Sequence, residues 1–336
     1  MKRGARGLAI LVGLGAAAPS PVRAQTTAGS CSVTPSVASG ADACRKATDL
    51  FAFVIPQVGV ALAAGNPVLG EGGTMGGWGR RALSVRLSAA EGFLPRNAVP
   101  ISASGGAVGS EFGAARTVIP VPSADVAIGL LSGVPLGVTN VGGVDVLLGA
   151  TYAPEVSRGA LRLAPVTSPV AIGYGVRVGA LQESSFVPGI SLSVMRRRLP
   201  TENLAYTPGN DTLEVRNMAV TANTWRLVAS KRVAVLGIAA GVGRDAIEGT
   251  AGMQASLTES VRGTPQQVRV ALSDLRSTVS RNTAFVNASF GLLMVRLVGE
   301  YGWSSAGTVQ QTVNQFGGRE ANGGYRYGSL GVTVRF

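Results

Sequence analysis

The side chains able to do chemistry are few, and what is missing narrows the choice first. The 336-residue sequence contains no histidine. That removes a Ser-His-Asp triad, an imidazole general base and imidazole metal ligands. Two cysteines, Cys31 and Cys44, cannot form a four-ligand zinc site alone, and no glycine-rich stretch ends in Gly-Lys-Ser/Thr to cradle a phosphate. The expectation is a non-enzyme without cofactor or metal. What remains is charge. Arg80, Arg86, Arg177, Arg269 and Arg296, opposed by Asp145 and Glu300, fall on the polar face of stretches that alternate with period two. Lining a water-filled space, that set favours anions through its local field. In a packed interior, Arg296 and Glu300 instead pair structurally. Lys and Arg exceed Asp and Glu by 30 to 18, but as scattered arginines without stacking rings, so nucleic acid is not an expected partner.

The elements that must position these residues begin with an address. Lys2, Arg3 and Arg6 precede an uncharged apolar run from Leu8 to Ala18, and Val22-Arg23-Ala24 offers small residues for cleavage. This reads as a signal peptide over 1–24; the run is about half the roughly 20 residues of a helical span. Cleavage lowers the formal net charge of +12 by four. Export favours a disulfide between Cys31 and Cys44. Residues 25–40 are small and polar and read as a flexible lead-in. In 41–64, Ala43, Ala47, Leu50, Val54, Val58 and Leu62 recur at helical spacing, with Pro56 set to kink or end the helix and Gly70 to Gly77 to stop it. A first strand over 57–65 is the alternative. Residues 41–77 are therefore a helical segment with a Gly-rich linker, the helix lying in the mouth of a barrel built from the rest of the chain.

From Trp78 the period is two. Leu83, Val85 and Leu87 oppose Ser84, Arg86 and Ser88. Val144, Val146 and Leu148 oppose Asp145 and Gly149; Val170, Ile172, Tyr174, Val176 and Val178 oppose Gly173, Gly175 and Arg177; Leu293, Val295, Leu297, Tyr301 and Trp303 oppose Arg296 and Glu300. The apolar face suits lipid and the other is rich in glycine and small polar groups, the dyad pattern of a membrane barrel wall. Charged residues make up only 14% and glycines number 47, too little charge to wet a soluble surface easily. A soluble β-sandwich also alternates, but these segments run to 10–14 residues, against about 5–6 in soluble strands. Short connections (132–142, 182–185, 230–232, 291–292) fall opposite long ones (91–121, 154–167, 198–214, 245–265, 304–322), as in barrels with short periplasmic turns and long external loops. Residues 245–280 hold either two further strands, around 250–260 and 266–274, or one external hairpin. Continued alternation of Val268, Val270 and Leu272 with Arg269 and Ala271 favours the former. The expected fold is all-β: an antiparallel transmembrane barrel over 78–336 of about 12 strands, within 10–14.

The chain ends on an alternating strand, with Leu330, Val332, Val334 and Phe336 on one face. A terminal aromatic in that setting resembles the recognition strand of bacterial outer-membrane barrels, which implies insertion by the barrel-assembly machinery. The fragments Gly65-Asn66-Pro67, Val194-Met195-Arg196-Arg197, Ala229-Ser230-Lys231-Arg232 and Gly241-Val242-Gly243 resemble recurring features of one uncharacterised family of such barrels. A helix ahead of the barrel is similar to the fatty-acid-transporter type, whose N-terminal hatch implies uptake of hydrophobic compounds. Three functions fit a protein of the bacterial outer membrane, with its lipid and small solutes as partners. They are passive passage of small solutes with an anion leaning, a closed structural or surface-binding barrel acting through long loops, and hydrophobic uptake with 41–64 as hatch. Arg196, Arg197 and Arg198 read as a solvated strand end, with lipid phosphate as the functional alternative.

Overall fold

The computed structural model describes residues 26–27, 31–34, 40–95, 106, 108–158, 161–206, 212–261, 264–307, 312–320 and 323–336; the expected signal peptide lies outside them. Ten strands form the wall: β1 (Arg81–Pro95), β2 (Ala114–Leu131), β3 (Gly143–Tyr152), β4 (Val170–Leu181), β5 (Gly189–Arg198), β6 (Thr212–Val233), β7 (Leu236–Val261), β8 (Thr264–Leu292), β9 (Val295–Ser304) and β10 (Tyr325–Arg335). Each pairs antiparallel with the next, and β10 pairs antiparallel with β1. At that seam Phe336 N donates to the Arg81 carbonyl at 2.9 Å. A ring with no free edge is the condition for strands to span hydrocarbon.

The ring has ten strands, at the lower end of the expected 10–14 and two fewer than the central figure of twelve. Residues 245–280 do not add two wall strands; they are the upper parts of β7 and β8, paired from Leu236↔Phe290 through Val261↔Thr264. β7 has 26 residues and β8 has 29, against ten in β3, β5 and β9. About 10 residues cross a membrane, so the surplus carries roughly 50 Å of strand beyond the rim. Alternation runs through the extension because it too has one covered face. That face is inverted: above the rim Val268, Val270 and Leu272 are buried inward and Arg269 is exposed.

Within the wall, apolar side chains point outward. Leu83, Val85, Leu87, Ile172, Val176, Leu192, Val194, Leu227, Val242, Val286, Leu297, Leu330 and Val332 are all exposed, a surface that only lipid covers comfortably. Exposed Trp78, Phe186 and Phe336 mark the inner end, and Tyr152, Tyr174, Trp225, Tyr301 and Trp303 the outer part, the two aromatic girdles of a spanning barrel. Short turns join strands at the end that holds Arg81 and Phe336; long connections lie at the other, which is therefore external.

Helix α1 (Gly40–Ala63) occupies the lumen. It starts at the external end and descends, and residues 64–80 continue to the inner end, where β1 begins. The chain thus threads its own barrel. The region read as a flexible lead-in contributes two short strands, Thr26–Thr27 and Cys31–Thr34, both paired with the upper part of β8. A Cys31–Cys44 disulfide joins the second to α1. Pro56 lies inside α1. Beside it, Gln57 Nε2 donates to the Phe53 carbonyl at 2.9 Å, and Gln57 Oε1 accepts the Phe93 N–H at 2.6 Å.

Candidate functional site: a filled lumen

The lumen has two zones. The outer zone is apolar and surrounds α1. Phe51, Phe53, Ile55, Val60 and Leu62 are buried against Phe93, Val215, Val220, Ile247, Leu272, Leu275 and Val279. Phe53 stacks on Phe316 with centroids 4.1 Å apart, and Phe316 on Phe112 at 5.2 Å. Phe112 and Phe316 arrive from external connections through a parallel pairing of Glu111–Phe112 with Gln315–Phe316. Carboxylates on α1 tie it to those connections. Asp49 Oδ2 accepts the N–H groups of Val313 and Asn314, each at 3.0 Å, and Asp42 Oδ1 accepts that of Val108 at 2.9 Å.

The inner zone is ionic and surrounds residues 63–75. Arg226 Nη1 pairs with Asp245 at 2.6 Å, while its Nη2 donates to the Ala63 carbonyl at 2.9 Å and its Nε to that of Gly65 at 3.3 Å. Glu300 Oε2 accepts the Asn66 N–H at 3.0 Å, and Arg86 Nη1 donates to the Asn66 carbonyl at 2.9 Å. Asp125 lies between Arg86 at 3.3 Å and Arg197 at 2.8 Å. Asp145 takes Arg177 at 2.7 Å and accepts the Met75 N–H at 3.0 Å. Glu71 joins Arg296 at 2.9 Å and Arg335 at 3.0 Å. Each of these barrel charges thus meets either an opposite charge or the plug backbone, which is what makes buried charge tolerable.

Close approach needs glycine in two places. Gly65 has φ +77°, and a Cβ there would stand 1.5 Å from Glu300 Oε1. On the wall, a Cβ on Gly129 would stand 2.3 Å from the Gly77 carbonyl oxygen.

The sequence-derived candidates divide between the lumen and the surface. Arg86, Asp145, Arg177 and Glu300 are buried in the interior, and Arg296 is half-buried there. Arg296 pairs with Glu71 from the plug, and Glu300 holds Asn66. Arg80 is not in the lumen; it precedes β1 and is exposed at the inner end. Arg269 is not there either, because it stands above the rim on the face that water wets. Of the three consecutive arginines, Arg197 turns inward to Asp125, while Arg196 and Arg198 point outward. Leu330, Val332 and Phe336 are exposed along the lipid side of β10. Sequence reasoning missed Glu71, Asp125, Arg197, Arg226 and Asp245. Arg226 carried a usable signal, since Thr224, Arg226 and Val228 alternate with Trp225 and Leu227.

A closed antiparallel ring, an apolar outer belt, aromatic girdles and a polar interior define an outer-membrane β-barrel, here with an internal plug. No protein-family model matches the sequence, and no curated protein is significantly similar to it. Among solved structures, the chain is similar to Ail, the attachment invasion locus protein of Yersinia pestis (9% identity, TM-score 0.29, covering 77% of this chain and 99% of that one). It is also similar to the translocator domain of the autotransporter NalP from Neisseria meningitidis (12%, TM-score 0.32, 77% and 89%). A Pseudomonas aeruginosa FadL homologue is a third (9%, TM-score 0.27, 83% and 95%). The assignment of the fold rests on the ring and its belt.

Proposed function

We propose that this chain is a sealed outer-membrane barrel that works on its outer side, through the platform that β6, β7 and β8 carry above the rim. The filled lumen is the observation that carries this reading. Passive passage with an anion leaning needs arginines facing water, whereas Arg86, Arg177, Arg226 and Arg296 are engaged by carboxylates and plug carbonyls. The platform has its own geometry. The β6–β7 register shifts between Arg216 and Ala219, and the β7–β8 register between Ala251 and Met253. Such bulges bend strands and commonly border functional surfaces. They surround a cleft of about 490 Å³ lined by Arg216, Asn217, Thr250, Gln254, Asp274 and Arg276 among others.

Two measurements test this. On intact cells a membrane-impermeant maleimide labels Gln266→Cys, while Leu293→Cys in an inner turn is labelled only after permeabilisation; the reverse pattern contradicts external display. In a swelling assay, vesicles carrying the protein stay unswollen in small sugars and small anions, and rapid swelling contradicts the seal.

Hydrophobic uptake with α1 as hatch is a second reading, favoured by the apolar outer zone. Its mark is an apolar fluorescent probe displaced in parallel with loss of the Phe53–Phe316 stack.

A further inference from the structure

Facing lipid at the outer boundary of the wall is a basic cluster that the lumen does not use. On β5, Arg196 pairs in register with Tyr174 on β4 and Asn223 on β6. One register step inward, Trp225 on β6 pairs with Val194 on β5 and Arg244 on β7. Residues paired across antiparallel strands share a face, and here the face is outward: Tyr174, Asn223 and Trp225 are exposed and both arginines half-buried. Arg198, two positions beyond Arg196, is exposed on the same face. Arg196 and Arg244 flank β6 two strand spacings and one register step apart, about 12 Å between backbones, within reach of one headgroup.

Height sets the chemistry. β5 is ten residues long and Arg196 and Arg198 lie at its outer end; Arg244 is the ninth residue of β7. A spanning strand uses 9–11 residues, so these side chains stand where hydrocarbon gives way to headgroups. Directly below them the outward surface is Val176, Leu192, Val194, Leu227 and Val242, all exposed. A cationic ledge above an apolar slope fits an amphiphile with an anionic head better than a soluble anion. Among the described residues, no carboxylate is within ion-pairing distance of Arg196, Arg198 or Arg244. The nearby Glu248 faces Arg276 at 3.7 Å. Simple snorkelling leaves the whole head of an arginine in water, yet Arg196 Nε is buried without a hydrogen-bond partner. A buried donor left unmet is costly, and a ligand oxygen removes that cost.

We propose that Arg196, Arg198 and Arg244, with Asn223 and Trp225, form a binding site for the phosphate-bearing headgroup of a membrane lipid, whose acyl chains lie over Leu192, Val194, Leu227 and Val242. Guanidinium groups suit phosphate because they offer paired, planar donors. The tryptophan supplies an interfacial ring between the two arginines.

The test uses the full chain in neutral detergent micelles, with thermal unfolding as the readout. Three additions are compared: a bis-phosphorylated glucosamine glycolipid, the same glycolipid without its phosphates, and inorganic phosphate. The phosphorylated glycolipid raises the unfolding midpoint saturably and the other two do not. In R196A/R244A its affinity falls at least about tenfold, while R269A, which removes an exposed charge from the platform, binds as the parent does. Should the double alanine variant not fold, R196Q/R244Q keeps side-chain bulk and carries the same expectation. Equal stabilisation by the phosphate-free glycolipid, or by inorganic phosphate, overturns the proposal. So does unchanged affinity in the folded double variant.

Discussion

The outer and inner zones of the lumen hold one continuous plug by different physics. Around α1 the contact is mainly apolar area, non-directional and roughly proportional to the surface removed from water, with Asp42, Asp49 and Gln57 adding hydrogen bonds to the external connections and β1. Around residues 63–75 it is charge-assisted hydrogen bonds to plug carbonyls and N–H groups, which are directional and fix register. Area holds a helix in a tube without specifying how far in it sits. The contacts of Arg226 with Ala63 and Gly65, of Glu300 with Asn66 and of Asp145 with Met75 specify that. On the proposal of a sealed barrel, the difference assigns adhesion to the outer zone and sealing to the inner one.

That division can be broken by substitution. Arg226→Ala leaves Asp245 buried without its partner and frees two plug carbonyls. Losing one member of a buried pair costs about 4 kcal/mol, read as a drop in the urea midpoint, and planar bilayers should then show leak. Phe53→Ala removes a stacked ring from the outer zone at a cost of about 3 kcal/mol, but bilayers stay silent. Leak from Phe53→Ala and silence from Arg226→Ala would invert the assignment.

The external side also carries a group that responds to pH. Glu202, in a strand of the external connection after β5, is fully buried with neither carboxylate oxygen hydrogen-bonded, and burial pushes its carboxyl up to about 7. A folded-state value above the unfolded one means a contribution to stability present below about 4.5 and lost as pH rises toward 7. Glu202→Gln should therefore flatten the parent's decline in unfolding midpoint over that window and stabilise at pH 8 by roughly 2–3 kcal/mol. An unchanged slope would refute the carboxyl's part in it. Smaller still is Gly65→Ala. A positive φ and the crowding of Glu300 cost about 2 kcal/mol, expected with a partial rise in leak; a neutral outcome would mean that plug and wall are less tightly seated than described.

The wall was legible in the sequence because lipid enforces it. One apolar residue in two, over ten or more positions, survives only where hydrocarbon wets one side, and β3, β4 and β9 show it plainly. Three features were not legible, each for a physical reason. In β2, Pro120 and Pro122 interrupt the reading that would have turned Asp125 inward. In 245–280, alternation outlasts the membrane because the platform buries its inner face, so period alone adds two strands and puts Arg269 on the wrong side. In α1, the spacing of Ala43, Ala47, Leu50, Val54 and Val58 suggests a one-sided helix, but these residues are half-buried while Phe51, Phe53, Ile55 and Val60 are covered. Inside a tube every side of a helix meets wall, so the stripe of regular apolar spacing does not mark its most covered face. The inner-zone partners were the least visible, since Glu71 sits in a glycine-rich stretch and nothing local pairs it with Arg296 and Arg335.

In a sealed barrel of this kind, residues 40–77 stop the lumen. Single-channel recording in planar bilayers compares the parent chain with one lacking those residues, each first shown to be folded by its altered gel migration before boiling. The parent is expected to stay silent and the deletion to give steady conductance steps. Steps of equal size from both would contradict the seal.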